Sequence, residues 1–153
     1  RNEDINILID AGGLYYMKEF GCPSNAIITP HPGEAAMLLD CSVEELQKNR
    51  LEAAKELYKR YNCLIILKGY QTIVFDGEAY QCTDGGPALS TAGTGDVLAG
   101  LIGSFLAQGL SKIDAARFSV AIHGAAGDKF SKNKGVRGLT ATKLIKIINE
   151  EML

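Results

Sequence analysis

The stretch Ser90-Thr-Ala-Gly-Thr-Gly-Asp-Val-Leu-Ala-Gly100 sets Gly93 and Gly95 around Thr94, closes its polar part at Asp96 and runs straight into an apolar helical pattern. Glycines let the backbone adopt positive φ and approach a ligand closely. A helix start adds unpaired N–H groups and the positive end of the helix dipole. Together these make Gly93, Thr94 and Gly95 a candidate anion loop, with phosphate the expected anion. Asp96 then sits at the mouth of that loop, where a carboxylate suits work as a base on a hydroxyl beside a transferring phosphoryl group. Taken alone, the same residues also describe a glycine turn closed by an Asp helix cap.

Working outward, two further stretches follow short apolar runs: Thr29-Pro-His-Pro-Gly-Glu34 and Leu67-Lys-Gly-Tyr-Gln-Thr72. Strands are expected at Ile5–Ile9, Ala26–Thr29 and Cys63–Leu67, the first apolar enough to be buried on both faces like a central parallel strand. A hairpin is expected where Thr72–Phe75 and Ala79–Cys82 flank Asp76-Gly77. Helices are expected at Leu14–Phe20, from Glu34 to Leu39, across Val43–Tyr61 behind a Ser42–Glu45 capping box, and at Asp96–Gln108. Two more follow Ser111 and Thr140 as caps, the first running to about Ser131. The helix after Asp96 is so apolar that burial on most sides is expected. Strands alternating with helices predict an α/β layered domain with a mainly parallel sheet. Ligands in such sheets lie beyond the carboxyl ends of strands. Asp10, His31, Lys68 and the Gly93–Asp96 loop are therefore expected to converge on one edge.

Composition narrows the class. The 153 residues suit one domain, with 46% hydrophobic and 22% charged residues. No apolar run reaches the ~20 residues of a membrane-spanning helix, and nothing resembles a signal peptide. A formal net charge of −2 gives no case for nucleic acid or an anionic membrane. The Lys129–Lys134 cluster reads as a solvated helix end. Cys22, Cys41, Cys63 and Cys82 form no C-x-x-C pair, which argues against zinc or redox chemistry and fits a reducing, cytoplasmic compartment.

In order along the chain, T-P-H-P-G-E, L-K-G-x-x-T, A-G-T-G-D-V-L-A-G, His123-Gly-Ala-Ala-Gly-Asp128 and Arg137-Gly-Leu resemble the ADP-dependent NAD(P)H-hydrate dehydratase family, which has the ribokinase-like fold. G-T-G-D is shared by many kinases of this fold; T-P-H-P-G-E joined to it is specific. The resemblance implies dehydration of hydrated NADH or NADPH (NADHX, NADPHX), driven by cleavage of ADP (or ATP) to AMP and phosphate with Mg2+. It implies that Asp96 is catalytic and touches the hydrated nicotinamide, that His31 touches the same substrate, and that Lys68, Gly69, Tyr70, Gln71, Thr72 and Gly95 bind the nucleotide. His31, wedged between two prolines, sits in a rigid segment. Glu34 either assists magnesium or starts the helix. His123, mid-helix among small residues, reads as packing.

Gly12 stands where the family commonly has an acid, and Gly86 where it commonly has Asn. The chain begins at Arg1 almost in a strand, whereas family members run much longer. It is therefore expected to be the C-terminal part of a single nucleotide-binding domain, either homo-oligomeric or paired with an N-terminal segment along the Ile5–Ile9 edge. Two other functions compete. One is an ATP-dependent kinase of a small hydroxymethyl compound, using the same Asp96 chemistry; the other is a non-catalytic nucleotide-binding remnant.

Overall fold

Short apolar runs become strands, and each parallel strand gives way to a turn that carries polar residues. The computed structural model describes residues 5–151. In it β1 (Ile7–Ile9), β2 (Ala26–Ile28) and β3 (Leu64–Leu67) lie parallel, and the hairpin β4 (Ile73–Phe75) and β5 (Ala79–Gln81) extends them antiparallel, in the order β1-β2-β3-β4-β5. The expected α/β class and the Asp76-Gly77 hairpin are both present. Gly77, at φ 89°, supplies the left-handed residue of that turn.

The chain divides into two units, Arg1–Gln81 and Cys82–Leu153. The first holds the whole described sheet with helices α1 (Gly12–Phe20), α2 (Pro32–Leu39), α3 (Val43–Lys48) and α4 (Arg50–Tyr61). Leu14, Met17, Leu38, Ala54 and Leu57 from these helices pack with Ile28, Ile65, Leu67, Ile73 and Phe75 from one sheet face. The alternate residues Ile27, Leu64, Ile66 and Val74 are buried as well, as the two-residue period of a strand requires of a sheet with no wet face. β1 borders the described sheet with β2 on one side, at the Ile5–Ile9 edge where a further segment or subunit was expected to pair, and all three of its residues are part-buried.

The single helix expected over 43–61 is two. Asn49 leaves helical geometry at φ −147°, ψ 75°, and its side-chain oxygen accepts the Glu52 N–H at 3.3 Å. Asn competes for backbone bonds in this way and starts a new helix. The signal, Asn followed three residues later by Glu, was present in the sequence.

The second unit contains a short 3-10 turn, Pro87–Leu89, and helices α5 (Thr94–Ala107), α6 (Lys112–Lys134) and α7 (Ala141–Glu151). They share a core of Val97, Ala126, Phe130, Leu139, Leu144 and Ile148. α5 is less buried than its composition suggested. Gly100, Gly103 and Ser104 are exposed, and Val97, Leu98 and Ile102 carry the buried face. Its apolar character comes partly from glycines, which bury little area. α6 ends as expected, with exposed Lys132 and Lys134 at the negative end of its dipole. Among the described residues no helix is long and apolar enough to cross a membrane.

Candidate functional site

Three of the polar positions singled out in the sequence meet at the carboxyl ends of the parallel strands. Asp10 follows β1, the Thr29–Glu34 segment follows β2, and Lys68 follows β3. The Lys68 backbone N–H donates to Pro30 O at 2.9 Å, tying the second loop to the third. The Lys68 Nζ donates to Asp10 Oδ1 at 2.8 Å and lies 4.0 Å from Glu34 Oε2. Burial alone would raise the Asp10 carboxyl. Hydrogen bonds from Lys68 and Thr29, with the Lys68 charge, outweigh it and hold the group below its ordinary range. The Lys68 ammonium is thus already shared between two carboxylates.

His31 and Glu34 form a capping box at the start of α2. His31 Nδ1 accepts the Glu34 N–H at 3.1 Å, and Glu34 Oε2 accepts the His31 N–H at 2.8 Å. Pro32 occupies the first helical turn, where its missing N–H costs nothing. Of the two roles the sequence left open for Glu34, starting the helix is the one its bonds perform. His31 keeps an exposed ring. Because Nδ1 accepts, the neutral ring carries its proton on Nε2, 3.5 Å from Glu34 Oε1.

The Lys68–Thr72 segment is a tight turn between β3 and β4. Gly69 has φ 131° and Gln71 φ 54°. The Thr72 hydroxyl donates to Gly69 O at 3.0 Å, and Gln81 from β5 donates to Gln71 Oε1 at 2.8 Å. Tyr70 is exposed at the tip. Arg50 of α4 reaches the same turn, where its guanidinium bonds the carbonyls of Leu67 and Lys68. The sequence reading missed this residue, because an Arg that opens a helix looks like any solvated cation.

In the second unit, Gly93 stands at the N-cap of α5 with φ 86° and offers no side chain to the helix amides. Helices α2, α3, α4, α6 and α7 are closed by His31, Ser42, Asn49, Ser111 and Thr140. At α5 the Val97 N–H donates to Gly93 O and closes the first helical turn. The N–H groups of Gly95 and Asp96 ahead of it are the donors a helix start leaves for an anion. Thr94 is buried, and its hydroxyl is used internally on Leu89 O at 2.6 Å and Thr91 O at 2.8 Å. It shapes the loop rather than presenting a hydroxyl to a ligand. Asp96, in the first turn, is exposed. His123 does more than pack: its Nε2–H donates to Thr94 O at 2.8 Å and pins the loop to α6.

A side chain would fit at both positions where this chain departs from the family. A Cβ at Gly12 would meet nothing within 4 Å, and one at Gly86 would lie 3.6 Å from Asp128 Oδ1, an ordinary contact. The loop around Gly86 is held in any case, since Gly85 N–H donates to Asp128 Oδ2 at 2.9 Å.

The sequence and the fold both have relatives among known proteins. The sequence profile described as NAD(P)H-hydrate dehydratase matches residues 1–150. The bifunctional NAD(P)H-hydrate repair enzyme of Vibrio cholerae is 42% identical over 143 residues, which cover 92% of this chain and 29% of that protein. An ADP/ATP-dependent NAD(P)H-hydrate dehydratase from Bacillus subtilis, crystallised with ATP and Mg2+, superposes with a TM-score of 0.88 at 34% identity. The match covers 95% of this chain and 53% of that one. A ribokinase-like superfamily protein from Enterococcus faecalis superposes with a TM-score of 0.83 at 27% identity, covering 97% and 53%. The chain therefore has the ribokinase-like fold and spans about half of each solved chain and under a third of the Vibrio protein.

Proposed function

The chain belongs to the NAD(P)H-hydrate dehydratase family, and from that premise we propose that it carries the nucleotide-binding and catalytic part of an ADP-dependent dehydratase acting on NADHX and NADPHX. The observation that carries the reading is the start of α5: a glycine N-cap, no side chain bonded to the first helix amides, and an exposed carboxylate in the first turn. Hydroxide is a poor leaving group, whereas phosphate is a good one. Asp96 takes the proton of the substrate C6 hydroxyl as that oxygen attacks the β-phosphorus of ADP. The P–O bond to AMP breaks, and AMP leaves. Loss of the neighbouring C5 proton then expels phosphate from C6 and restores the reduced nicotinamide ring. The Gly95 and Asp96 amides hold the phosphoryl oxygens on which charge builds.

In this reading Lys68, Gly69, Tyr70, Gln71 and Thr72 form the nucleotide side of the site, and His31 contacts the hydrated nicotinamide. Mg2+ would come bound to the phosphates of the nucleotide, as it does where few protein carboxylates hold it. Its chemistry is to neutralise phosphate charge while the chain's own groups position the reactants.

The test is to incubate the complete protein with NADHX and either ADP or ATP while following NADH absorbance. Absorbance should rise, with AMP and phosphate formed when ADP is supplied. A phosphorylated hydroxymethyl product with no return of NADH would turn the reading to a kinase. Nucleotide binding without any turnover would turn it to a non-catalytic remnant.

A further inference from the structure

The Lys68–Thr72 turn is held more firmly than a surface connection requires. Gly69 bears its φ of 131° without penalty, but Gln71, at φ 54°, has a Cβ that crowds the backbone. Non-glycine residues persist there when the surroundings over-determine them, and such positions gather at ligand clamps. Contacts from three elements do so here. Pro30 O takes the Lys68 N–H, Gln81 holds the Gln71 side chain, and Arg50 takes the carbonyls.

Arg50 opens α4, and its side chain crosses to the end of β3. Nη2 donates to Leu67 O at 3.1 Å and to Lys68 O at 3.2 Å, while Nη1 donates to Gln47 Oε1 at 3.2 Å. Gly69 lies flush against it, since a Cβ there would stand 2.8 Å from Arg50 Nη1. These partners are two carbonyls and an amide, all neutral. The guanidinium is only part-exposed, and burial works against its charge. Lys68 is the opposite case, one ammonium between the carboxylates of Asp10 and Glu34. Of the two cations at this turn, Lys68 is neutralised by its own fold, and among the described residues no carboxylate pairs with Arg50.

We propose that Arg50 is the positioning residue of the nucleotide site: its fork fixes the carbonyls of Leu67 and Lys68, sets the turn for the ligand, and places beneath it the positive charge that Lys68 no longer offers to a polyphosphate. The proposal rests on the nucleotide reading of the Lys68–Thr72 stretch. A simpler role, stapling α4 to β3, would make Arg50 matter for stability and leave the nucleotide affinity of the folded protein unchanged.

The experiment compares the complete wild-type protein with Arg50→Ala and Arg50→Lys. ADP binding is read by calorimetry, and turnover of NADHX is read at saturating and limiting ADP. Arg50→Ala should bind ADP at least about tenfold more weakly and raise its KM, with kcat at saturating ADP changed little, the pattern of lost ground-state binding. Arg50→Lys should fall between, because an ammonium keeps the charge but cannot hold the two carbonyls and the Gln47 amide from two separate nitrogens as the planar guanidinium does. Wild-type affinity in Arg50→Ala overturns the proposal; if that variant does not fold, wild-type affinity in Arg50→Lys does the same. Wild-type protein that fails to bind ADP removes the nucleotide reading, and this assignment with it. Wild-type binding beside unaffected variants removes the Arg50 assignment alone.

Discussion

Two glycine-to-alanine changes in neighbouring helices should move stability in opposite directions. Gly103 lies in α5, where a Cβ would meet nothing within 4 Å. Alanine there gains the ordinary helix preference of about 0.8–1 kcal/mol over glycine. Gly124 lies in α6, and its added Cβ would stand 2.8 Å from Asp84 O and 2.9 Å from Asp84 C. Those are backbone atoms, so no side chain can swing away. The Asp84–Gly85 loop must shift, and forcing a methyl into a packed site costs about 1–3 kcal/mol. The helix-preference gain is common to both variants and cancels between them. Their difference therefore isolates the clash, at about 1–3 kcal/mol, or roughly 2–12 °C in Tm for a chain of this size. Urea midpoints and thermal melts of Gly103→Ala, Gly124→Ala and wild type read it directly. Equal shifts in the same direction would refute the claim that α6 needs a glycine at 124 for the loop to pack. The same displacement would loosen the Gly85–Asp128 bond that holds the loop, so the structural effect should reach toward the anion loop.

Asp96→Asn should fold with near-wild-type stability and still bind AMP or ADP, but lose about 10²–10⁴-fold in turnover, the usual cost of a missing general base; near-wild-type rates would remove Asp96 from the mechanism. His31 separates capping from contact. His31→Asn keeps a capping oxygen while His31→Ala loses about 0.5–2 kcal/mol of stability, so if the imidazole touches substrate, both variants should raise the KM for NADHX although only the second is destabilised. An unchanged KM in both would leave His31 with the helix cap alone.

The fold was legible where local physics decides it. Each parallel strand is a short apolar run, and Ser42, Ser111 and Thr140 announced their helices because an oxygen at the N-cap satisfies an orphan amide wherever the chain goes. The errors share a cause. Reading 43–61 as one helix weighed apolar spacing above the local competition Asn49 offers. Reading α5 as buried on most sides took composition for packing, although the glycines that help it look apolar bury little area.

The gathering of strand-end residues was legible in the sequence, and the partners of each side chain much less so. Strand ends predicted where Asp10, His31 and Lys68 would gather, because an α/β sheet gives its loops little choice. Roles depend on partners distant in sequence. Lys68 reads as a free phosphate-binding charge until Asp10, 58 residues away, is found on its ammonium. His123 reads as packing until the Thr94 carbonyl, 29 residues away, is found on its ring. Arg50 carries no motif at all. What it shares with His123 is a bond to the backbone carbonyl of a loop whose shape matters more than its side chains. A motif records the residues of such a loop. The groups that hold its carbonyls in place come from helices elsewhere in the chain, Arg50 of α4 at one loop and His123 of α6 at the other.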